Sequence, residues 1–528
     1  MKTSLIRILA LAPLLVSACS HDAPETREIP ETPSTDAAAE DVEGAEDVEG
    51  TEDVEGAEDV EGAEDVEGAE DVPAEIGVEP DTIDDVTDSD TSADADAASD
   101  TDPEDADTAD VFTGPQGEPV DGPTSPDPEA ETNSLGADGP CGSPLIYTAR
   151  GLRRAPYVQS VFTDTGRLAW TDTLGAEGFV HFSVAGTDEW FRVTAEARPF
   201  LMAETGDTED YTAYDATLQG LPSDSDICYE IYVDGALLVG GASFHTAWTT
   251  HDKPVRILAM GDSGNGSAEQ LAVRDRMMEV DSDLFLHLGD MAYGSGTYPE
   301  FEAHVFDVYT DLMASIPAWP TPGNHEYKTG LAAGYLGVYY LPEQSPNPLE
   351  QEYYYSFDYG NVHFISLDSN EFRYLTTIGP SEEDMIGWLA NDLAESADAE
   401  WKIAFMHHPP YSSGSHGNTN WLLEIIVPML EDAGVDLVLA GHDHQYERSH
   451  EIFEGEIAEV PGALTYIVAG SGGAGVRDAT WGNWWTDVLN DTVHNFLYLE
   501  IDGCTATGTA IGIDGEAVDT FEMTSCDD

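Results

Sequence analysis

The feature that most constrains this chain is a set of polar segments in its C-terminal half, most of which directly follow an apolar run. The segments are Gly261-Asp262-Ser263-Gly264, Gly289-Asp290-Met291-Ala292-Tyr293, Gly323-Asn324-His325-Glu326, Met406-His407-His408-Pro409-Pro410-Tyr411 and Gly441-His442-Asp443-His444. The preceding runs, such as residues 255–260 and 435–440, have the length and composition of buried strands, and helical patterns separate them. Because the carboxyl ends of strands gather the ligand-binding residues of an α/β sheet, these segments predict one shared site.

The residue types in these segments suit a pair of metal ions. Carboxylates, an amide, a phenol and imidazoles are oxygen and nitrogen ligands, and two ions that share a carboxylate can hold a phosphate and generate hydroxide. The candidate ligands are Asp262, Asp290, Tyr293, Asn324, His407, His442 and His444. His408 and Asp443, which neighbour these ligands in the sequence, are expected to point away from the site.

The chain resembles a known family at these segments. Residues 253–525 resemble calcineurin-like metallophosphoesterases, and more narrowly purple acid phosphatases. Two positions carry the narrower resemblance: Gly264 stands where most relatives outside the purple group have a His, and Tyr293 offers a phenolate that suits trivalent iron. The resemblance implies a four-layer α/β/β/α sandwich for residues 251–528.

The same resemblance implies how the two metal ions are divided among the ligands. It assigns Fe(III) to Asp262, Tyr293 and His444, a divalent zinc, manganese or iron ion to Asn324, His407 and His442, and the bridging position to Asp290.

Three further side chains receive roles from the resemblance. His325 follows the ligand Asn324 and would protonate the leaving-group oxygen. His416 would contact the phosphate or assist as an acid, and Gly417 stands beside it where plant members often carry a second His. Glu326 either orients His325 or a ligand from behind, or is a carboxylate on the protein surface.

The expected function is that of an exported phosphatase with two metal ions. A metal-bound hydroxide would attack phosphate monoesters, as in purple acid phosphatases. Two alternatives stay open at this point: a phosphodiesterase or nucleotidase that uses the same metal site, and a surface binding lipoprotein with a relic phosphatase domain.

The N-terminal 140 residues predict an export signal and a tether. Residues 1–19 carry Lys2 and Arg7 before a short apolar core, and their end resembles a bacterial lipobox. Cys19 would therefore be lipidated, and Ser20 after it favours the outer membrane, with the lipid as the only membrane contact. Residues 20–140 contain acidic six-residue repeats and one aromatic residue, so they predict a disordered acidic tether.

Residues 141–250 predict a separate all-β domain. Short alternating runs separated by turn residues favour a β-sandwich that looks like a fibronectin type III domain, with Trp170 and Tyr232 as core candidates. Export implies an oxidising compartment, where four cysteines allow three disulfide pairings. The pairings favoured, because each stays within one predicted domain, are Cys141 with Cys228 and Cys504 with Cys526.

The charge of the chain excludes one class of partner. Residues 141–528 hold 62 acidic and 15 basic residues, a net charge of about −47. Such a surface repels the phosphates of DNA and RNA, so the expected partner is a phosphoester substrate and no nucleic acid is expected to bind. The scarcity of Lys, with four in the whole chain, fits either a saline habitat or a generically acidic exported protein.

Overall fold

The computed structural model describes residues 114–525, apart from residues 123–131, 136–138, 149–151, 174, 176, 371–381, 459, 478, 480 and 481. The predicted signal peptide at residues 1–19, its Cys19 and most of the predicted tether lie outside the described residues. Cys526 lies outside them as well.

The N-terminal domain consists of antiparallel strands in two sheets. Its strands are β1 (Glu118–Val120), β2 (Thr132–Leu135), β3 (Leu145–Thr148), β4 (Leu152–Gln159), β5 (Thr165–Asp172), β6 (Gly178–Val184), β7 (Trp190–Thr194), β8 (Glu196–Phe200), β9 (Tyr211–Gln219), β10 (Asp226–Val233) and β11 (Ala236–His245). A single helical turn, α1 (Met202–Thr205), lies between β8 and β9.

The two sheets of this domain have the strand orders β1-β7-β6-β10-β11-β3-β2 and β4-β5-β9-β8. Their shared core includes Trp170, which stacks on Tyr214 with 5.3 Å between the ring centroids. Tyr232 is also buried, but it stacks on Phe179 at 4.9 Å and is not part of that core. The domain is all-β, and its likeness to fibronectin type III domains stays a prediction.

The predicted boundary of the tether at residue 140 is wrong. Strand β1 pairs with β7, and β2 pairs with β3, so both short strands extend a sheet of the β-sandwich. Both lie in residues that the composition assigned to the tether. A strand at a sheet edge is held by backbone hydrogen bonds, which the acidic, aromatic-poor composition does not exclude.

A disulfide between Cys141 and Cys228 connects the segment before β3 to β10. It is one of the two pairings that the sequence favours. The other pairing, between Cys504 and Cys526, stays a prediction because Cys526 is outside the described residues.

The C-terminal domain alternates strands and helices. Its strands are β12 (Val255–Met260), β13 (Leu284–His287), β14 (Ala318–Pro320), β15 (Tyr355–Tyr359), β16 (Val362–Ser366), β17 (Trp401–Phe405), β18 (Leu437–Ala440), β19 (Tyr446–Ser449), β20 (Ile452–Phe453), β21 (Glu456–Ile457), β22 (Thr465–Ala469), β23 (Thr486–Asn490), β24 (Asn495–Asp502), β25 (Thr505–Gly512) and β26 (Ala517–Thr524). Its helices are α2 (Ala268–Met277), α3 (Tyr298–Phe301), α4 (Thr310–Met313), α5 (Asn324–Tyr327), α6 (Ala333–Val338), α7 (Glu382–Glu395) and α8 (Val427–Asp432), with π-helical turns at Glu302–Phe306 and Leu422–Ile426.

Two mixed sheets form the centre of this domain. Their strand orders are β14-β13-β12-β24-β25-β26 and β15-β16-β17-β18-β22-β19-β23. The two sheets contact each other through β22 and β24. Helix α2 contacts β24 of the first sheet. Helix α7 contacts the second sheet, where Asp392 forms hydrogen bonds with β15 and β16. The α/β fold predicted from the sequence is confirmed.

Parallel pairing places the ends of several strands at one edge. Strand β12 runs parallel to β13, and β13 to β14. In the other sheet β16, β17, β18 and β22 are parallel. The loops that leave these strands at their carboxyl ends carry the polar segments of the sequence, so the topology brings the segments together.

The two domains contact each other through polar groups as well as packing. The Tyr157 hydroxyl donates to Val338 O at 2.6 Å, and the Tyr229 hydroxyl donates to Ala314 O at 2.7 Å. Arg154 forms an ion pair with Glu302 across the same interface. Within the described ranges, no helix is both long enough and apolar enough to span a membrane.

Candidate metal centre

The candidate ligands all follow the carboxyl ends of strands in the C-terminal domain. Asp262 follows β12, Asp290 and Tyr293 follow β13, Asn324 begins α5 after β14, His407 follows β17, and His442 and His444 follow β18. The structure brings their side chains into two adjoining groups.

Three of these residues adopt an uncommon backbone conformation. Asp262, Asp290 and His442 have φ values of 57°, 53° and 71°, in the left-handed region that costs a non-glycine residue on the order of 1 kcal/mol. Hydrogen bonds hold the conformation: Asp262 N donates to Gly289 O at 3.0 Å, and His442 N donates to Asp262 Oδ2 at 2.6 Å. Strain of this kind is typical of functional sites.

The first group contains Asp262, Tyr293 and His444. The Tyr293 hydroxyl lies 3.0 Å from Asp262 Oδ1 and 3.2 Å from His444 Nε2. His444 Nε2 lies 3.5 Å from Asp262 Oδ1. These are the three residues that the resemblance assigned to Fe(III).

The structure explains why Gly264 accompanies Tyr293. A Cβ added to Gly264 would lie 1.4 Å from Met291 O, so no side chain fits at this position. Tyr293 N donates to Gly264 O at 2.7 Å, which fixes the loop that carries the phenol. The position that holds His in most relatives outside the purple group is therefore closed here, and Tyr293 occupies the space beside Asp262.

The second group surrounds His407. Its Nε2 lies 3.1 Å from Asn324 Oδ1, 3.2 Å from His442 Nδ1 and 3.5 Å from Asp290 Oδ1. Ligand atoms of Asp262, Asp290 and His407 all lie within 4.8 Å of one another. Asp290 thus lies between the two groups, where a bridging carboxylate would be needed.

The histidine rings direct their Nε2 atoms towards the other candidate ligands. His407 Nδ1 donates to Leu288 O at 2.8 Å, and His444 Nδ1 donates to Gly475 O at 2.8 Å. These hydrogen bonds leave Nε2 of each ring near a carboxylate oxygen, that of Asp290 for His407 and that of Asp262 for His444. Buried imidazole nitrogen and carboxylate oxygen atoms that converge in this way suit iron and zinc ions.

The burial and the charges of the candidate ligands also favour a cation at this place. Burial, followed by the neighbouring Asp290 carboxylate, raises the pKa of Asp262 well above its usual value. Burial and Asp262 hold the pKa of Tyr293 far above its usual value. Burial lowers the pKa of His444 to about 4, so this ring is neutral near pH 7. A deprotonated Asp262 and a phenolate at Tyr293 therefore require a nearby cation.

Glu326 is buried beneath the ligands, so the surface alternative for this carboxylate is wrong. It accepts four backbone N–H groups: those of Asp290 at 2.9 Å, Met291 at 3.0 Å, Ala292 at 3.1 Å and Gly323 at 2.8 Å. Burial and the Asp290 charge raise its pKa to about 7. Glu326 therefore connects the loop that carries Asp290 to the turn that carries Asn324.

His325 lies at the rim of the centre with 22% of its side chain exposed. Its Nδ1 lies 2.9 Å from Gly294 O, its Nε2 lies 3.8 Å from Asp290 Oδ2, and its ring is 4.2 Å from that of Tyr293. Lys328 Nζ lies 3.0 Å from both ring nitrogens, and burial lowers the pKa of His325. The ring thus borders the ligand set and is open to an approaching molecule.

His416 lies on another side of the centre and is exposed. Its ring is 4.2 Å from that of His442, and its Nε2 lies 2.8 Å from a guanidinium nitrogen of Arg477. Arg477 is not among the residues that the sequence predicts for the site. A single Arg after a Gly-rich stretch carries no recognisable signal, and only the fold places it here.

Two expectations about neighbouring residues are wrong. His408 does not point away: its ring is 4.4 Å from that of His442, and it offers a nitrogen within 4.8 Å of ligand atoms of His407 and His442. Asp443 is buried rather than outward-facing, and its carboxylate accepts from His416 N at 3.0 Å and from the Ser412 hydroxyl. Both follow from the irregular backbone of these loops, to which strand alternation does not apply.

Comparisons with known proteins agree with this geometry. Residues 255–446 match the family model for calcineurin-like phosphoesterases. An uncharacterised protein of Mycobacterium tuberculosis is 26% identical over 355 residues, which cover 58% of this chain and 65% of that protein. Purple acid phosphatase 21 of Arabidopsis thaliana is 29% identical over 230 residues, which cover 42% of this chain and 50% of that protein. The chain thus spans less than two thirds of the length of these relatives.

A solved structure shows the same fold. The purple acid phosphatase from yellow lupin (Lupinus luteus) seeds superimposes with a TM-score of 0.59 at 18% identity, over 70% of this chain and 74% of that one. Residues 255–446 are thus similar to calcineurin-like phosphoesterases, purple acid phosphatases are among the proteins similar to the chain, and the lupin phosphatase shows the same fold.

Proposed function

We propose that this chain, through its calcineurin-like phosphoesterase domain, hydrolyses phosphate monoesters at a centre of two metal ions. The observation that carries the proposal is the convergence of the seven candidate ligand side chains in two adjoining groups with Asp290 between them. The family match over residues 255–446 and the purple acid phosphatase relatives support the same reaction class.

The residues divide between the two ions as the resemblance implies. Asp262, Tyr293 and His444 would hold Fe(III), and Asn324, His407 and His442 would hold a divalent zinc, manganese or iron ion. Bound metal ions would activate water and neutralise charge on the phosphate. Tyr293 supports iron at the first position, because a phenolate is a hard oxygen donor that suits a trivalent ion.

The side chains around the ligands contribute positioning and proton transfer. Glu326 holds the backbone of both ligand loops, which keeps Asp290 and Asn324 in place. His325 borders the centre, and the resemblance gives it the transfer of a proton to the leaving oxygen of the ester, which becomes an alcohol. For this step Nε2 would have to carry the proton, and Lys328, which can only donate, would have to leave the ring. The chain places His325 for this step through the hydrogen bond between its Nδ1 and Gly294 O.

The alternatives differ in their support. A diesterase or nucleotidase would use the same ligands. A relic domain that serves only in binding is disfavoured, because all seven ligand positions are present and face each other. The test is purification of the full chain with metal analysis, a visible absorption spectrum, and assays on p-nitrophenyl phosphate and bis(p-nitrophenyl) phosphate.

The spectrum and the assays distinguish the proposed phosphatase from the alternative functions. Two metals per chain including iron, an absorption band of tyrosinate-to-iron charge transfer, and faster turnover of the monoester would support the proposal. A colourless active protein with two zinc ions would exclude the iron assignment alone. Preference for the diester would replace the substrate class. No turnover after metals are restored would favour the binding lipoprotein.

We also propose that the chain is exported and anchored to the outer membrane by a lipid on Cys19, on the lipobox-like pattern that ends at this residue. Expression in a lipoprotein-processing bacterium, followed by mass spectrometry of the mature N-terminus, tests the anchor. A mature chain that begins elsewhere, or an unmodified Cys19, would exclude it.

A further inference from the structure

Arg477, in the loop between β22 and β23, reaches the mouth of the metal centre. Its guanidinium lies 2.8 Å from Nε2 of His416, whose ring is 4.2 Å from the ring of the ligand His442. Arg477 and His416 are both exposed, so a bound molecule can reach the pair.

The backbone of Arg477 is attached to the metal ligands. Arg477 N donates to His444 O at 3.2 Å, and Gly475 O accepts from His444 Nδ1 at 2.8 Å. Ala474 N donates to Asp262 O at 2.8 Å. The segment that carries the guanidinium therefore keeps a fixed relation to two of the ligands, Asp262 and His444.

Among the described residues, no carboxylate forms an ion pair with Arg477. Among the ten arginines of the described ranges, eight form ion pairs with carboxylates: Arg153, Arg154, Arg167, Arg192, Arg256, Arg274, Arg276 and Arg448. Arg477 forms no ion pair with any carboxylate of those ranges. In a chain with 105 acidic residues, an unpaired guanidinium beside a metal centre is available to an anion.

The hydrogen bond with His416 orients the guanidinium of Arg477. Arginine has five N–H donors and no acceptor, so Arg477 donates and His416 Nε2 accepts. The backbone N of His416 in turn donates to Asp443, between the candidate ligands His442 and His444. His416 acts as a positioning residue for Arg477, and the structure shows no further hydrogen bond from this guanidinium to the described residues.

We propose that Arg477 binds an oxygen of the substrate phosphate and favours dianionic phosphate monoesters over monoanionic diesters. A monoester phosphate carries about two negative charges at neutral pH and has three terminal oxygens, whereas a diester carries one charge and has two. A planar guanidinium matches phosphate oxygens in charge and in geometry. This inference rests on the proposed phosphoesterase function and adds the basis of its substrate preference.

The test compares Arg477→Gln and Arg477→Lys with the full-length, metal-loaded protein. Hydrolysis of p-nitrophenyl phosphate and of bis(p-nitrophenyl) phosphate is measured, since both release the same leaving group. For Arg477→Gln we expect kcat/KM for the monoester to fall by about tenfold to a hundredfold, and for the diester by about threefold or less. For Arg477→Lys we expect a loss of kcat/KM for the monoester between those of the wild type and Arg477→Gln, because Lys keeps the charge but lacks the planar pair of N–H donors.

A binding measurement and a matched control complete the design. The Kd of inorganic phosphate is measured by calorimetry at equal metal content. It should rise in the Arg477 variants in the same order in which their kcat/KM for the monoester falls. The control is Arg192→Gln, in β7 of the N-terminal domain, which removes the same charge at a position far along the chain from these loops. It should leave kcat/KM for the monoester and for the diester unchanged. If Arg477→Gln does not fold, the Arg477→Lys variant supplies the comparison.

The outcomes distinguish this inference from the proposed function. Equal losses on both esters, or no loss on either, together with an unchanged phosphate Kd, would overturn the role of Arg477 while the phosphoesterase stands. If the wild-type chain hydrolyses neither ester, the proposed function fails. In that case an Arg477-dependent phosphate Kd supports an anion site, and an Arg477-independent one overturns the inference too.

Discussion

At the scale of single residues, Asp290 is the candidate ligand that connects the two ligand groups. Its carboxylate lies between the two ligand groups, is buried, and also accepts from His325 N at 2.9 Å. It holds a left-handed backbone conformation that only tightly packed surroundings maintain. One carboxylate thus meets the needs of both proposed metal positions.

Replacing Asp290 by Asn should therefore remove most of the bound metal and the activity. The variant keeps the shape of the side chain but loses the charge that two cations would share, so we expect kcat/KM to fall by about a thousandfold or more. Metal analysis and the monoester assay check this. A variant that retains two metals and full turnover would exclude the bridging role.

Glu326→Gln is a milder change at the same scale. Glu326 accepts four backbone N–H groups, whereas the amide of Gln has a single accepting oxygen and places an NH₂ group against the remaining donors. We expect metal affinity to fall by about tenfold to a hundredfold, and thermal stability to fall as well.

Competition with a chelator and thermal unfolding measure these two effects of Glu326→Gln. Glu424→Gln is the matched control, since Glu424 is exposed. Wild-type metal affinity in Glu326→Gln would show that this carboxylate does not position the ligand loops.

At the scale of secondary structure elements, an ionic contact connects helix α7 to the sheet beneath it. His363 of β16 lies between Asp358 of β15, at 2.7 Å, and Asp392 of α7, at 3.0 Å. Burial lowers the pKa of His363, but the two carboxylates outweigh burial and raise the pKa to about 9. The charged form of His363 therefore helps to hold α7 against β15 and β16.

The raised pKa predicts a dependence of stability on pH. Because the unfolded pKa is about 6.5, the contribution is fully present below that pH and is lost as the pH rises through about 9. His363→Gln should lower Tm by several degrees at about pH 6 and by much less above about pH 9.5. Calorimetry of both proteins at the two pH values measures this, with His251→Gln as an exposed control. An equal loss at both pH values would mean that packing, not charge, is responsible.

At the scale of the whole molecule, the surface charge is the dominant property. Residues 141–528 hold 62 acidic and 15 basic residues. The acidic side chains of the folded domains therefore repel one another, and they also repel nucleic acids. Salt shortens the reach of this repulsion from about 10 Å at 0.1 M to about 3 Å at 1 M. Repulsion between the acidic side chains therefore lowers the stability of the fold, and added salt weakens this repulsion.

We expect the Tm of the full chain to rise by several degrees between about 0.1 M and 1 M sodium chloride. The same series in a variant with several exposed Asp and Glu changed to Asn and Gln should show a smaller rise. A Tm that is independent of salt in both proteins would mean that the acidic surface does not limit stability.

The sequence by itself determined the α/β fold and predicted which residues form the ligand set. Apolar runs followed by short polar turns specify strands with functional carboxyl ends, because burial and backbone pairing act locally along each segment. The α/β fold could be read in this way, and the resemblance at the polar segments predicts the seven ligands and their division into two groups.

The tertiary structure alone decided what lies around those ligands. Arg477 is 61 residues from His416 in the chain, and the burial of Glu326 depends on two loops closing over it. The short strands β1 and β2 are held by partners elsewhere in the sandwich rather than by their own composition. Contacts between distant segments form only when sheets and loops pack, and no local pattern in the sequence records them.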